Sequence, residues 1–171
     1  MTNDMKIAGF STTVLKPVRG FERISDAMKK HDSKTSLPVR ADMQSAGSDF
    51  YSKEDVVIEP QSSHLFWTDV KAYMQPTEVL IIDVRSSIGL KKSLMLKNTI
   101  GVIDSSYYNN PSNEGNIGIC LYNFGEQPVT IEKGERIAQG IFLQYLAPDN
   151  DQALHNERIG GFGSSNRWKR N

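Results

Sequence analysis

The sequence predicts an all-β fold, a sandwich or barrel with one short helix. Its apolar segments are short, rich in β-branched and aromatic residues, and separated by turn residues, which is the pattern of strands in such folds. These segments are DVVIEP, SHLFWTDV, TEVLIIDV, GNIGICLYNF and EQPVTIEKGERIAQGIFLQYL. The 171 residues fit a single domain around one core.

The first element along the chain is a predicted helix over Arg23–His31. Ser25 is a suitable N-cap, Ile24 and Met28 fall on one face, and two lysines lie near the end. The segment 41–52 then combines a turn over residues 45–49 with a strand that begins at Phe50, and Asp49 stands where the two meet. Taken alone, this pattern is an ordinary turn.

The strand TEVLIIDV runs into Arg85, Ser86 and Ser87. Arginine offers a planar fork to phosphate oxygens, hydroxyls add donors, and a loop at a strand end can direct backbone N–H groups at an anion. In isolation this is a weak indication of a phosphate site, and no Walker loop occurs in the sequence. Residues 86–97 fit either a loop with one helical turn or an irregular strand, because Gly89 interrupts both patterns.

Asp104 follows an apolar strand in the segment 97–110, and Tyr107 comes three residues later. A carboxylate held at a strand end, partly sheltered, can orient and deprotonate a water molecule. The alternative is a turn aspartate that hydrogen-bonds to its own backbone. Both interpretations are open on these residues alone.

Two further strands complete the predicted β structure. Ile117, Ile119 and Leu121 alternate with smaller or more polar residues, so one face of this strand belongs in the core and Cys120 falls on the other face. In the next strand, Gln139 has the donor and acceptor capacity to reach a phosphate.

The chain changes character after Tyr145, where apolar residues become rare and the centre is rich in glycine. Terminal disorder is one interpretation. The other is an arm that becomes ordered on a ligand. Phe162 favours the arm, because a ring flanked by glycines and followed by two serines can stack on a planar base while its neighbours donate to phosphate.

Charge and cysteine content exclude several classes of function. Twenty Lys and Arg balance twenty Asp and Glu, so no overall positive field attracts nucleic acid or an anionic membrane. The single Cys120 forbids an intrachain disulfide, and with only three scattered histidines a metal cluster of Cys or His is not expected. The longest apolar run is too short to span a bilayer, and the amino terminus lacks a signal-type apolar region. We expect a cytoplasmic protein that binds neither nucleic acid nor membrane.

Five short motifs, taken in order, resemble those of the trimeric dUTP nucleotidohydrolases (dUTPases). They are Ala46-Gly47-x-Asp49, Arg85-Ser86, Gly101-Val102-Ile103-Asp104-x-x-Tyr107, Gly134-x-Arg136-Ile137-Ala138-Gln139 and Gly160-Gly161-Phe162-Gly163-Ser164. The resemblance runs from about residue 41 to residue 166.

The resemblance implies a jelly-roll-like β-barrel, a homotrimer, and three active sites at subunit interfaces. Residues 1–145 would form the barrel, with an extended amino-terminal segment and a hairpin insertion at 108–115. Residues 146–171 would form a flexible arm that closes over an active site of another subunit. The implied reaction is hydrolysis of dUTP to dUMP and pyrophosphate with Mg²⁺.

The resemblance also implies roles for individual residues. Asp104 matches the carboxylate that activates the attacking water, and Tyr107 matches the ring that stacks under deoxyribose and leaves no space for a 2′-hydroxyl. Asn98, with main-chain groups up to Ile103 that include Gly101, matches the uracil contact. Asp49 corresponds to a carboxylate that acts on the metal indirectly, by ordering its waters. The phosphate contacts would come from Arg85, Ser86, Ser87 and Gln139. The arm would supply Phe162 as a cap on uracil, with Arg158, Gly163, Ser164 and Ser165 closing on the γ-phosphate.

The chain departs from the family pattern chiefly in its hairpin, where YYNNPSNEG is several residues longer than the usual turn. In this it looks similar to phage-encoded members, which bind repressor proteins. One alternative function is therefore a regulator that binds a repressor-type protein in a nucleotide-dependent way. A second alternative is a dCTP deaminase, which would need a catalytic glutamate in a motif that is not evident here.

Overall fold

A computed structural model of the chain describes residues 17–151. The strands in chain order are β1 (Gly20–Arg23), β2 (Val39–Arg40), β3 (Ser48–Tyr51), β4 (Val56–Ile58), β5 (Ser63–Trp67), β6 (Val70–Tyr73), β7 (Glu78–Val84), β8 (Leu94–Leu96), β9 (Gly101–Asp104), β10 (Gly118–Asn123), β11 (Val129–Ile131) and β12 (Arg136–Gln144). The helical elements are α1 (Ser86–Lys92) and a 3-10 turn (Ser105–Tyr107). The all-β prediction with a short helix is confirmed.

The largest sheet has five strands in the order β2-β3-β12-β7-β9, and each neighbouring pair is antiparallel. The long strand β12 lies in the middle and pairs with β7 over seven residues, from Ala138 opposite Val84 to Gln144 opposite Glu78. Three smaller sheets pair β1 with β6, β4 with β11, and β10 with both β5 and β8. Within residues 17–151 the strands form separate sheets and do not close into one barrel.

Apolar side chains from these sheets meet in one core. It includes Phe50, Ile58, Phe66, Val70, Leu80, Ile117, Ile119, Leu121, Ile131 and Ile137. The alternation predicted for β10 is confirmed, since Ile119 and Leu121 are buried and Cys120 between them is only half-buried. Period-two alternation therefore identified the face of this strand that points into the core.

The predicted helix over Arg23–His31 is wrong. Arg23 ends β1, and the segment after it forms a single turn in which the backbone N–H groups of Met28 and Lys29 donate to the Ser25 carbonyl. The buried carboxylate of Asp69 accepts the backbone N–H groups of Lys30 and His31, at 2.7 and 3.1 Å. A tertiary contact thus takes the donors that a helix would have used.

The helix occurs instead at Ser86–Lys92, in the stretch for which the sequence left two interpretations open. Ile88 buries its side chain, and Lys91 and Lys92 lie in the last turn, where cations interact favourably with the helix dipole. Ser93 ends the helix in a left-handed conformation, with its N–H bonded to the Ile88 carbonyl. Neither described helical element is long and apolar enough to cross a membrane.

Asp69 gives a test of the fold. Burial raises the pKa of this carboxyl, but hydrogen bonds from Lys30, His31 and Asn116 outweigh it and hold the pKa below its ordinary value of 3.8. A lowered pKa in the folded state contributes stability that is present above the ordinary value and is lost as pH falls through the folded value.

Asp69→Asn should lower the free energy of unfolding by about 2 to 3 kcal/mol at pH 7, because two backbone N–H donors lose a charged acceptor. The difference from wild type should shrink as pH falls below 3.8. Urea unfolding at fixed protein concentration measures both effects. Asp26→Asn, whose side chain is 96% exposed, is the control. Equal stability of Asp69→Asn and wild type at pH 7 would contradict this assignment.

Candidate active site

A cavity of about 250 Å³ lies beside β9. We call it the hairpin pocket; it is lined by Ile82, Leu96, Asn98, Gly101, Val102, Ile103, Tyr107, Gly118, Ile119 and Cys120. Four residues predicted to contact the base and sugar, Asn98, Gly101, Ile103 and Tyr107, therefore meet in one cavity. Gly101 allows the close approach of the two strands, since a Cβ there would lie 3.0 Å from the Cβ of Ile82.

Tyr107 is buried in the 3-10 turn that follows β9. Its hydroxyl donates to the Asn116 carbonyl at 2.9 Å and accepts from the Asn113 side-chain amide at 2.7 Å. These two contacts fix the outer end of the ring in a single place.

Asp104 is the last residue of β9 and begins the 3-10 turn. Its side chain is exposed in the single chain, where the sequence led us to expect partial shelter. The strand pairing places Asp104 opposite Val79, near the amino end of β7. A carboxylate in this position can meet a water molecule beside a bound nucleotide.

A second group of predicted site residues surrounds a buried carboxylate. Asp49 accepts from Arg85 Nε at 2.9 Å on one oxygen and lies 3.2 Å from Arg136 Nη1 on the other. We call Asp49, Arg85 and Arg136 the arginine cluster. Charge-assisted contacts of this kind hold a guanidinium in one orientation. Ser86 and Ser87 continue directly from Arg85 as the first two residues of α1.

Gln139 lies beside the arginine cluster in β12, opposite Asp49 on β3 and opposite Asp83 on β7. The side chain of Gln139 packs against Gly47, where a Cβ would lie 2.5 Å from Gln139 Oε1. The glycine of the first motif therefore leaves room for the glutamine of the fourth.

Asp104 and the arginine cluster lie at opposite ends of β7, whereas the hairpin pocket reaches Ile82, near the carboxyl end of the strand. Asp104 is opposite Val79, whereas Arg85 comes just after the last residue of the strand, Val84. The intervening stretch of strand amounts to about 20 Å at roughly 3.3 Å per residue. This path is longer than a triphosphate extended from its own sugar.

The remaining predicted contacts lie outside the described residues. They are Arg158, Phe162, Gly163, Ser164 and Ser165.

The described residues contain no group of three His, Cys, Asp or Glu side chains that could hold a metal ion. Asp49 already has a guanidinium at each oxygen. Mg²⁺ prefers phosphate and water oxygens, so this donor set suits an ion that arrives with a nucleotide and touches the protein through water.

The sequence did not reveal the two asparagines that hold the Tyr107 hydroxyl. The signal that could have found them is the spacing of Asn110, Asn113 and Asn116, three amides at intervals of three residues directly after Tyr107.

The sequence placed Cys120 on the face of β10 that points away from the core. In the structure Cys120 lines the hairpin pocket.

Known proteins resemble the chain over most of its length. A family model described as dUTPase matches residues 33–166. The deoxyuridine 5′-triphosphate nucleotidohydrolase of Lactococcus lactis subsp. lactis is 44% identical over 149 residues, which is 86% of this chain and 97% of the relative. The crystal structure of dUTPase from Streptococcus mutans matches with a TM-score of 0.68 at 44% identity, covering 76% of this chain and 98% of that one.

A dUTPase from Staphylococcus bacteriophage 80alpha, solved with dUPNHPP, matches with a TM-score of 0.64 at 26% identity, covering 88% of this chain and 99% of that one. It is described among phage dUTPases that control transfer of virulence genes by a G protein-like mechanism. These neighbours have the jelly-roll-like fold expected from the motifs.

Gly47→Ala tests the contact between the first and fourth motifs. The new methyl group should displace the Gln139 side chain and weaken binding of dUPNHPP by about tenfold, the loss of one hydrogen bond to a charged group. Isothermal titration measures the affinity. The control is Gly89→Ala in α1, where a Cβ meets nothing closer than 3.7 Å and should leave the affinity unchanged. Equal affinity of Gly47→Ala and wild type would mean that Gln139 does not contact the nucleotide.

Proposed function

The chain belongs to the dUTPase family, and from that membership we propose that it hydrolyses dUTP to dUMP and pyrophosphate with Mg²⁺ in sites shared between subunits of a homotrimer. The enzyme class is dUTP diphosphatase, the activity of its relatives. The location of Asp104 and the arginine cluster at opposite ends of β7 is the observation that carries the proposal.

The separation along β7 is the reason for proposing that each site is shared between two subunits. The hairpin pocket and Asp104 of one subunit would hold the nucleoside, and the arginine cluster of a neighbouring subunit would hold the phosphates. A head-to-tail contact of this kind closes into a ring when the rotation between subunits allows it. A trimer repeats the shared site three times.

Selection of uracil would come from the hairpin pocket. Backbone N–H and C=O groups between Asn98 and Ile103 offer a fixed pattern of donors and acceptors, and cytosine presents the reverse pattern at the same edge. Leaving buried polar groups unpaired can reject a wrong substrate by about 10⁴ to 10⁵. The buried Tyr107 ring would lie under the sugar and exclude a 2′-hydroxyl.

Asp104 would act as the general base toward the attacking water. Its side chain is exposed in the single chain, at a surface where another subunit would bring the phosphates. A positioned general base contributes about 10² to 10⁴ in rate, so most of the remaining acceleration must come from positioning and charge stabilisation at the phosphates.

The phosphates would be bound by Arg85, Ser86, Ser87 and Gln139. Asp49 holds Arg85 at 2.9 Å and thereby presents its guanidinium in a fixed orientation. Asp49 would also hold Mg²⁺ through water. The ion supplies charge neutralisation on the triphosphate when bound.

The carboxyl-terminal arm, residues 146–171, would complete a site on another subunit. Phe162 would cap the uracil, and the γ-phosphate contacts would come from Arg158, Gly163, Ser164 and Ser165. In the described part, β12 ends at Gln144 and the chain beyond it is exposed, which supports a boundary near residue 145.

A repressor-type protein partner stays a prediction, and the regulatory role described for the 80alpha enzyme belongs to that protein. The hairpin 108–115 uses several of its side chains inside this chain: Tyr108 donates to Glu22, and Glu114 accepts from Ser25. Those contacts favour a structural role for the insertion.

The deaminase alternative has no support among the relatives. A cytoplasmic location stays a prediction.

Asp104→Asn should keep the fold and the affinity for dUPNHPP while lowering kcat on dUTP by about two decades or more, because the amide cannot take a proton from water. Pyrophosphate release measures turnover, and titration with the analogue measures binding. Asp32→Asn, an exposed carboxylate outside the site, is the control. Unchanged turnover would remove Asp104 from the role of base.

Metal removal tests the reaction itself. With Mg²⁺ present, pyrophosphate should be released from dUTP and not at comparable rates from dCTP, UTP or dTTP, and EDTA should abolish the release. Without nucleotide, EDTA should leave the melting temperature unchanged, because the described residues contain no preformed metal cluster. Release that persists in EDTA would contradict the metal proposal, and equal release from all four nucleotides would contradict the substrate assignment.

A further inference from the structure

The hairpin 108–115 wraps around the hydroxyl of Tyr107. Asn113 donates its side-chain amide to the Tyr107 hydroxyl at 2.7 Å, and the hydroxyl donates to the Asn116 carbonyl at 2.9 Å. Gly115 passes so close that a Cβ there would lie 2.6 Å from the Tyr107 carbonyl oxygen, and its φ of +85° favours glycine. The hairpin therefore holds both the backbone and the ring of this tyrosine.

The amides of the hairpin also hold one another. Asn110 donates to the Tyr107 carbonyl and to Asn113 Oδ1, both at 2.8 Å. Asn113 Oδ1 in turn accepts the Gly115 N–H at 3.0 Å. Asn110 is buried, and these bonds leave the Asn113 side chain one orientation, with its amide directed at the tyrosine.

Asn116 is anchored from its other side. Its side-chain amide donates to Asp69 at 3.0 Å and its side-chain oxygen accepts the Asp69 N–H at 3.0 Å. Both residues are buried. The residue whose backbone carbonyl accepts from the Tyr107 hydroxyl is thus held through its side chain by two hydrogen bonds to Asp69, one to the carboxylate and one from the backbone N–H.

The outer side of the hairpin is tied to the amino-terminal segment. Glu114 accepts the backbone N–H of Ser25 at 3.0 Å as well as its hydroxyl, and these hydrogen bonds lower the pKa of the Glu114 carboxyl. Lys71 donates to Asn109 at 2.6 Å. The insertion is therefore fixed on both sides.

We propose that Asn113, together with Asn116, is a positioning residue that fixes the Tyr107 ring and thereby sets the discrimination between dUTP and UTP. This inference rests on the proposed function. It assigns the hairpin insertion 108–115 a function in the nucleotide site, since Asn113 is one of the residues of this insertion.

A ring excludes a 2′-hydroxyl only when it cannot move aside. Close-packed interiors transmit small shifts, and a displacement of about 1 Å at a reacting group can change rates by about 10²-fold. Removing the Asn113 amide takes away one of the two hydrogen bonds described at the Tyr107 hydroxyl. The expected consequence is better acceptance of UTP while dUTP still binds.

The test compares three variants with wild type by kcat/KM on dUTP and on UTP. Asn113→Ala and Tyr107→Phe should each lower the ratio of the dUTP value to the UTP value by about tenfold or more, because the first removes one hydrogen bond at the Tyr107 hydroxyl and the second removes both. The double variant should lower the ratio no further than Tyr107→Phe, since Asn113 acts on the ring through the hydroxyl that Tyr107→Phe already removes. Tyr108→Phe, a neighbouring hydroxyl that contacts Glu22, should leave the ratio unchanged.

Folding is followed by thermal unfolding of each variant. Tyr107→Phe keeps the hydrogen bonds within the hairpin, so it carries the test if Asn113→Ala does not fold. Folded variants that retain the wild-type ratio within about twofold would overturn the inference alone, since the amides would then serve stability only. A wild-type protein that releases no pyrophosphate from dUTP would overturn the proposed function and this inference with it.

Discussion

The antiparallel pairing of β12 with β7 is the constraint on which the candidate site depends. Seven consecutive residue pairs hold β7 between β12 and β9 in the main sheet, and β3 pairs with the other edge of β12. This register places Gln139 beside Asp49 at one end of β7, while β9 brings Asp104 to the other end. A slip of one residue would turn every side chain of β7 to the opposite face. The residues of the hairpin pocket and of the arginine cluster would then no longer lie together.

The same register is the reason for proposing a site shared between subunits. Each half is well formed within one chain: the hairpin pocket is walled by strands and the buried Tyr107, and the arginine cluster is organised around a buried acid. Asp104, however, lies at the opposite end of β7 from the arginine cluster. The structure therefore supplies a geometric reason for assembly where the sequence offered only a family resemblance.

Sequence patterns predicted those features of the fold that depend on residues close together in the sequence. Alternation in β10 identified the buried Ile119 and Leu121, and the motif residues Asp49, Arg85 and Asp104 lie at or next to strand ends as expected. The helix at Arg23–His31 was wrong because Asp69, distant in sequence, captures its backbone donors. The two groups of site residues likewise arise from long-range strand pairing, which no local pattern encodes. The amides around the Tyr107 hydroxyl come instead from the nine residues that follow it, and their spacing is a signal in the sequence.

Subunit mixing tests the shared site most directly. Asp104→Asn and Arg85→Ala are each expected to inactivate the enzyme when made alone. Co-expressed with different affinity tags and purified as mixed trimers, they should recover about one third of the wild-type rate of pyrophosphate release, because a head-to-tail ring of mixed subunits contains one site with both residues intact. Mixed trimers as inactive as the two parents would show that Asp104 and Arg85 serve the same site from one chain, which contradicts this account.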